Sequence, residues 1–259
     1  MPRLPVWLIY LTIVAAMLVL ALGRREHANA PRPPPSAPFA DQAPISPTSP
    51  FASAALVRLS AAKVAKGTAF SMNDHGVWLT ARSVVAGCAR PMIAVTEGWG
   101  APAKLRVIDG DSAVLTTDAG APSLPLARTT PRSGDSGFLP GFSGGGSGEA
   151  AALFLGQGPG RDRLSWAEIG RTDGLKGPLS GLAGAPVLNA AGEVAGMVLA
   201  DAPRRGRLSG AAPGALVRAL AAAKLRRSVA APAQPISLDN YGRAADGLRR
   251  VLSVAEVVC

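Results

Sequence analysis

The sequence predicts an all-β fold of the barrel or sandwich type, and three observations indicate it. Short apolar stretches alternate with turn signals at spacings of roughly 8–14 residues, the pattern of a succession of short strands. Glycine (30) and proline (23) supply a fifth of the 259 residues, which favours many turns over a helical bundle. Hydrophobic residues make up 48% of the chain and charged residues 17%, a composition that excludes a chain disordered throughout.

Eleven predicted strands follow one another between residues 54 and 200. Residues 73–76 (NDHG) predict a hairpin turn, because Asn, Asp and Gly tolerate positive φ, and residues 190–192 (AAG) predict another. Residues 142–148 (FSGGGSG) predict a flexible surface loop. The strands are predicted at 54–60, 67–72, 77–81, 91–96, 103–109, 112–117, 137–142, 151–156, 164–169, 185–189 and 193–200.

Two later segments have helical spacing. Residues 213–227 carry Leu216, Val217, Leu220 and Leu225 close to a 3.6-residue period, with a proline at the start and arginines near the end. Residues 241–250 predict a shorter helix, which leads into a last strand at 251–258. About 30 residues follow the first helix, too few for a separate peptide-reading domain of the PDZ type.

The N-terminus predicts a single-pass membrane helix. Residues 4–23 carry no charge, and about 20 apolar residues span a hydrocarbon core. A cleaved signal peptide is the alternative, since residues 28–30 (ANA) form an A-x-A site. Pro31 directly after that site and the length of the apolar run favour an uncleaved anchor. Both interpretations place the rest of the chain outside the cytoplasm, in the periplasm of a cell with an inner membrane, and cleavage would make it a secreted protein.

Three regions follow from this reading. Residues 1–27 are a membrane anchor or signal segment, residues 28–52 a proline-rich linker, and residues 53–259 the folded domain. Eight prolines among residues 31–50 predict an extended, semi-rigid stalk that buries no core.

The net charge of +10 does not indicate a nucleic-acid partner. The 27 lysines and arginines are scattered, whereas a nucleic-acid reader concentrates its cations on one element or patch. Two histidines and two cysteines, dispersed along the chain, do not form a metal-ligand cluster. We therefore expect no metal and no other cofactor.

Three segments, in order, are similar to the serine proteases of the HtrA/Deg type, which have a chymotrypsin-like fold. GTAF at 67–70 with GVWLTARSVVAG at 76–87 resembles the family's G-[ST]-G-F and G-x-[IV]-L-T-x-x-H-V-V-x-G. DSAVL at 111–115 resembles D-[LI]-A-V-L. GLAGAPVLN at 181–189 with GEVAG at 192–196 resembles G-x-S-G-[GA]-P-[LV]-[LVF]-[ND] and G-x-[VL]-[VI]-G. The resemblance covers residues 67–215 and implies a double six-stranded β-barrel, here with a C-terminal helix and strand.

The departures from that pattern bear on activity. Ser83 stands where the family has its general-base histidine, and Ala183 stands where it has its nucleophilic serine. Asp111 keeps the acidic position. Triad chemistry needs an imidazole to accept the hydroxyl proton, and the methyl group of Ala183 cannot attack a carbonyl. The resemblance thus implies a pseudoprotease.

Parts of the binding apparatus are expected to remain. In the family the backbone N–H groups at the nucleophile turn form the oxyanion hole, which corresponds here to Gly181 and Ala183. Without a histidine, the Asp111 carboxylate needs a new partner. The Ser83 hydroxyl is one candidate; the alternative is that both side chains are solvated and idle.

Three other catalytic assignments are weaker. His75 falls in a predicted turn eight residues before Ser83 and is expected to be exposed. Ser136 lies in the string GDSG, which is associated with trypsin-like nucleophiles, but we expect a turn leading into a strand of the second barrel. A Ser–Lys dyad that includes Ser83 is chemically feasible, although no spacing in the sequence defines the lysine.

Cys88 and Cys259 are expected to form a disulfide, because an oxidising compartment favours one. Two separate thiols are the alternative. The predicted function is a membrane-tethered, extracytoplasmic trypsin-like pseudoprotease that binds a protein or peptide or acts as a scaffold. An active serine endopeptidase with a non-standard catalytic set is the alternative.

Overall fold

Most of the described chain is β-structure in two halves, an eight-stranded sheet and a closed six-stranded barrel. The computed structural model describes residues 49–60, 64–144, 146–160, 162–172, 174–200, 206–226 and 233–259. All of these belong to one compact unit, Ile45–Cys259. The predicted all-β class is confirmed.

The first half is a sheet in the order β1-β5-β4-β14-β2-β3-β7-β6. Strand β3, which has neighbours on both sides, is buried at all five positions. Its sequence VWLTA is accordingly almost wholly apolar rather than alternating. The strands are β1 (Val57–Arg58), β2 (Ala65–Asn73), β3 (Val77–Ala81), β4 (Met92–Thr96), β5 (Trp99–Pro102), β6 (Lys104–Asp109), β7 (Ser112–Thr116) and, from the C-terminus, β14 (Val254–Val258).

The second half is a closed barrel in the order β10-β13-β12-β11-β8-β9. Its core contains Trp166, which packs edge-on against Phe154 with ring centroids 5.0 Å apart. The six-stranded barrel expected for this half is confirmed. Its strands are β8 (Ser136–Ser143), β9 (Gly146–Gln157), β10 (Arg163–Arg171), β11 (Pro186–Leu188), β12 (Val194–Val198) and β13 (Arg207–Ala211).

The first half differs from the six-stranded barrel that the family resemblance implied. It has eight strands, and no pairing closes the sheet between its edge strands β1 and β6 among the described residues. The extra strands have separate origins. β14 inserts between β4 and β2, pairing Val257 with both Ile93 and Gly67, and the two-residue β1 adds at the edge beside β5.

Three helices are described, α1 (Arg82–Val85), α2 (Pro213–Ala222) and α3 (Tyr241–Arg250). In α2, Pro213 occupies the first turn, where its missing N–H costs nothing, and Leu216, Ala219 and Leu220 form its buried face. The helix ends five residues before the predicted end at 227, because Lys224 adopts a left-handed conformation with φ of 56°.

Both predicted turns are present, and an asparagine organises each. The Asn73 Oδ1 atom accepts hydrogen bonds from the N–H groups of His75 and Val77 at 3.0 and 2.9 Å. The Asn189 Oδ1 atom does the same for Ala191 and Glu193 at 3.0 and 2.9 Å. These are Asx turns, in which the side chain replaces a backbone acceptor.

Two local predictions were wrong, and two strands were missed. The segment 142–148, expected to be a loop, is mostly a hairpin: β8 runs to Ser143 and β9 begins at Gly146, with Ser143 paired to Gly146. The strands β5 and β13 were not predicted. Of the strand predicted at 54–60, two residues form β1. Each error concerns a segment whose strand character depends on pairing with a neighbouring strand rather than on its own residues.

The predicted disulfide is confirmed: Cys88 and Cys259 are bonded, with Cα atoms 5.6 Å apart and a sequence separation of 171. The bond ties the end of β14 to the turn after α1. The backbone of Cys259 also pairs with Val64, with N···O distances of 3.1 and 3.2 Å. The C-terminal strand is thus fixed covalently into the first sheet.

The predicted membrane segment, most of the proline-rich linker (28–48) and the candidate cleavage site lie outside the described residues. Within the described ranges, no helix combines the length and the apolar character that a membrane crossing requires.

Candidate functional site

The site around position 83 begins where the buried strand β3 ends. Ala81 is the last residue of β3 and pairs with Ser112 at the start of β7. The Arg82 N–H then donates to the Asp111 carbonyl oxygen at 2.8 Å. Ser83 follows in the first turn of α1 and is exposed. Backbone hydrogen bonding therefore places the residue next to Ser83 against Asp111.

Position 183 approaches the same place from the second half of the fold. Residues Leu179–Leu182 form a 3₁₀ turn, and the Ala183 carbonyl oxygen accepts a hydrogen bond from the Thr68 N–H at 2.9 Å. A Cβ atom at Gly67 would lie 2.6 Å from the Ala183 oxygen and 2.8 Å from Val84 Cγ2. Glycine at 67 therefore allows α1 and the 183 turn to approach each other.

The turn after Ala183 also needs a glycine, at position 184. Its φ is +83°, and a Cβ atom there would lie 2.0 Å from the Thr68 carbonyl oxygen and 2.5 Å from Thr80 Oγ1. The Thr80 hydroxyl donates to that same Thr68 oxygen at 2.6 Å. The structure thus brings the surroundings of Ser83, Asp111 and Ala183 together around β2.

The Asp111 carboxylate has a partner that the sequence did not suggest. Its Oδ2 atom accepts from Arg163 Nε at 2.9 Å and lies 2.8 Å from Arg163 Nη2. Both side chains are about one-third exposed. The carboxylate is paired with a guanidinium rather than with the Ser83 hydroxyl. Arg163 is the first residue of β10, and no motif marks it, because sheet topology alone carries it to Asp111.

The two amides at the expected oxyanion-hole positions have acceptors within the 3₁₀ turn. The Gly181 N–H donates to the Pro178 carbonyl at 3.0 Å, and the Ala183 N–H donates to the Ser180 carbonyl at 3.1 Å. An amide that is bonded to an internal carbonyl does not point at an external oxyanion. In this conformation the turn is closed upon itself.

Neither His75 nor Ser136 lies at this site. His75 is in the turn before β3, and its side chain is 84% exposed with Nε2 3.5 Å from Asp74 Oδ1. It precedes β3 while Ser83 follows it, about 20 Å apart at the usual rise per residue. Ser136 begins β8 directly after a turn in which Asp135 Oδ2 accepts from the Arg132 N–H at 2.7 Å. Both residues are where the turn interpretation expected them.

A carboxylate that sequence reasoning missed lies beside the site. Glu256 on β14 is paired directly with Thr68, so the two side chains share a face of the sheet. That face meets β8, because Thr68 Oγ1 accepts from the Phe142 N–H at 2.9 Å. Burial raises the pKa of Glu256, and its Oε1 atom is buried without a hydrogen bond.

The part of the chain that the structure describes contains no group of side chains suited to binding a metal ion. Within it, no three His, Cys, Asp or Glu side chains group closely enough to hold an ion. No lysine hydrogen-bonds to Ser83 among these residues either. Of the groups predicted from the sequence, the site contains the Ser83 hydroxyl, the guanidinium-bound Asp111 carboxylate and the two internally bonded amides.

Comparison with solved structures finds peptidases. An HtrA-type protease, AlgW with a decapeptide, is 22% identical with a TM-score of 0.49, and the match covers 61% of this chain and 52% of that one. This chain therefore spans about half the length of that protease. The Mycobacterium tuberculosis H37Rv protein Rv3671c in an inactive form is 20% identical, with a TM-score of 0.49 and coverage of 71% and 95%. A serine endoprotease from Yersinia pestis is 23% identical, with a TM-score of 0.48 and coverage of 66% and 64%.

No curated protein matches the chain. The family model of the trypsin-like peptidase domain matches residues 67–197, half of the chain and the whole stretch from Gly67 through the 183 turn. The chain belongs to the trypsin-like peptidase family.

Proposed function

We propose that this protein is a pseudoprotease: a trypsin-like domain, tethered to the extracytoplasmic face of the membrane, that binds a protein or peptide and does not cleave it. The observation that carries the proposal is that the surroundings of Ser83, Asp111 and Ala183 meet at one place, where the described residues supply no imidazole and position 183 carries no nucleophile.

The chemistry of acyl transfer supports this proposal. A serine nucleophile needs a base to accept its proton and return it to the leaving amine. Ser83 is an alcohol, which is too weak a base to fill the histidine role at neutral pH. The Ala183 methyl group has no lone pair to attack with. His75 lies at the far end of β3 and does not supply the missing base.

The electrostatics of the site support it as well. The Arg163 guanidinium donates to the Asp111 carboxylate, so this carboxylate serves an ion pair rather than orienting a base. The amides of Gly181 and Ala183 are bonded to the carbonyls of Pro178 and Ser180. An active protease needs such amides free to stabilise the oxyanion.

The tether and the compartment rest on different observations. The uncharged stretch at residues 4–23 has the length of a membrane span. The Cys88–Cys259 bond suits an oxidising, extracytoplasmic compartment. A reporter enzyme that works only after export, fused after Cys259, is expected to be active. Activity of a cytoplasm-restricted reporter at the same position would overturn the assignment.

Catalytic status is tested with a serine-reactive fluorophosphonate on the full chain in detergent. We expect no labelling of the wild-type protein and no cleavage of casein or of a peptide library. An HtrA-type protease in the same detergent is the positive control. Labelling of a serine in the folded domain, if heat denaturation abolishes that labelling, would establish the active-endopeptidase alternative.

Binding at the peptidase site is tested by a bulky substitution there. Ser83 is exposed at the site, so Ser83→Trp adds bulk without disturbing the core. Ser133→Trp, in the exposed turn before β8, is the matched control. We expect partners cross-linked to the wild type in membranes to be lost with Ser83→Trp and retained with Ser133→Trp. Equal recovery with both variants would place binding elsewhere.

A further inference from the structure

A cavity of about 460 Å³ lies away from the peptidase site, between α3 and the segment that connects the two halves. We call it the linker pocket. Ser83, Asp111 and Ala183 do not line it. Small-molecule sites have volumes of roughly 300–1,000 Å³ and mostly apolar walls with a few polar groups. The linker pocket has this character: Leu124, Leu188 and Ile236 line it and are themselves buried.

The helix α3 presents two different faces. Tyr241, Ala245 and Arg249 contact the second barrel: Tyr241 stacks on Phe138 with centroids 6.0 Å apart, and Arg249 pairs with Glu149. The other face lines the linker pocket with positions 240, 243, 244, 247, 248 and 251, which is the i, i+3, i+4 spacing of one helix side. Among the described residues this side is only partly packed: Ala244 and Leu248 are half-buried against the core and also border the cavity.

Two features show that the space beside this face is open. A Cβ atom at Gly247 would meet no atom within 4 Å. Val251, which also lines the pocket, is 43% exposed although it is a large apolar residue. Ala244, Leu248 and Val251 thus give this side an apolar part beside an open cavity, a surface that suits an apolar group.

The charge at the pocket is one-sided. Among its described lining residues, Arg243 alone is charged and none is acidic. Arg243 is exposed and forms no ion pair with any residue that the structure describes. A guanidinium without a carboxylate, beside apolar walls, complements a ligand with an anionic head and an apolar body.

The backbone of the pocket favours a compact ligand over an extended peptide. Peptides that add to an edge need free main-chain groups. Here the carbonyls of three lining prolines are already bonded: Pro122 accepts from Ser253 Oγ at 2.8 Å, Pro125 from the Val194 N–H at 2.7 Å, and Pro235 from Asn240 Nδ2 at 3.2 Å.

We infer that the linker pocket binds an aliphatic monocarboxylate, with its tail between α3 and the connecting segment and its carboxylate on Arg243. This inference is independent of the pseudoprotease proposal, because no residue of the peptidase site takes part. A ligand there would contact α3 and Ser253, which lead into β14, together with residues 122–125, which connect the two halves.

The probe is a ten-carbon carboxylic acid that carries a diazirine, applied to the full chain in lipid nanodiscs and photo-activated, with the labelled residues mapped by mass spectrometry. We expect saturable labelling of α3 and of residues 233–236. Sodium decanoate should compete at least about tenfold better than 1-decanol, since a hydrogen bond to a charged group contributes on that order.

Two variants with matched controls test the assignment. Gly247→Leu fills the cavity and should abolish the labelling, whereas Gly247→Ala, which raises helix propensity equally but leaves most of the space, should retain it. Arg243→Gln should weaken decanoate competition about tenfold, whereas Arg250→Gln, exposed on the same helix and not lining the pocket, should leave it unchanged. Thermal unfolding checks that each variant folds.

Three outcomes would overturn the inference. The first is labelling confined to residues outside the pocket. The second is pocket labelling that neither Gly247→Leu nor Arg243→Gln reduces in variants that fold. The third is competition by a peptide with an apolar C-terminus but not by decanoate, which would assign the pocket to peptides instead. None of these results depends on whether the fluorophosphonate labels the protein.

Discussion

The Arg163 guanidinium holds the Asp111 carboxylate from the opposite half of the fold, through Nε at 2.9 Å and Nη2 at 2.8 Å. In a working triad that carboxylate orients and stabilises the histidine. A histidine placed at position 83 would therefore compete with Arg163 for this carboxylate.

The first prediction concerns restoration of the site. Ser83→His and Ala183→Ser alone should not react with a fluorophosphonate, because triad members act as a unit. The double variant should react weakly. Adding Arg163→Gln should raise the labelling rate by on the order of tenfold or more, since loss of the carboxylate's support of the histidine costs about 10⁴ in a worked protease case.

The control for this series is Arg132→Gln, which removes an exposed arginine in the turn before β8 and should leave the labelling rate of the double variant unchanged. Equal labelling of Ala183→Ser alone and of the triple variant would contradict the triad assignment of Ser83 and Asp111.

The second prediction concerns the ion pair between Glu149 and Arg249, whose side chains are each about 10% exposed. Burial lowers the pKa of Arg249 to about 10, so the guanidinium is protonated at neutral pH. Glu149→Gln should lower the free energy of unfolding by up to about 3–5 kcal/mol, because the buried guanidinium then keeps only the exposed Asp246 carboxylate. Urea unfolding at pH 7 measures this.

Asp246 provides the matched control, since it lies 3.1 Å from the same guanidinium but is 65% exposed. Asp246→Asn should cost less than about 1 kcal/mol. If both substitutions cost the same, the Glu149–Arg249 pair does not fasten α3 to the second barrel.

The third prediction concerns the disulfide. Loop closure over 171 residues gives at most about 5 kcal/mol in the chain-entropy model. Cys259→Ser should lower the free energy of unfolding by up to that amount, and dithiothreitol should destabilise the wild type but not this variant. Iodoacetamide should add no mass to the native, unreduced protein and two adducts after reduction. Two adducts without reduction would refute the bond.

The fourth prediction concerns Glu256. Burial raises its pKa above the ordinary value of 4.5, so the folded state binds this proton more tightly than the unfolded chain does. The contribution of Glu256 to stability is present below pH 4.5 and is lost as the pH rises through the folded pKa. Glu256→Gln should therefore raise the urea midpoint at pH 7 and leave a smaller difference at pH 4.

Glu97→Gln, in the exposed turn between β4 and β5, is the control and should show no such pH dependence. A Glu256→Gln midpoint that lies below the wild type at pH 7, or a difference that is constant from pH 4 to pH 7, would show that burial does not govern this carboxylate.

The sequence alone determined the features that rest on short-range physics. Asn73 and Asn189 define their turns by accepting hydrogen bonds from amides two and four residues ahead. The local sequence is therefore enough to predict these turns. The sequence alone also shows that Ser83 and Ala183 stand at the positions that the family resemblance assigns to its histidine and its serine. The strand at the C-terminus was also predicted from its own apolar pattern.

Tertiary structure decided what depends on partners distant along the chain. The sequence of β14 does not show that this strand inserts between β4 and β2. The short segments β5 and β13 are strands because neighbours on both sides pair with them. The same holds for Arg163 beside Asp111 and for the open face of α3. The hydrophobic periodicity of a segment and the propensities of its residues do not predict such contacts, because the packing of the whole domain sets sheet order and helix docking.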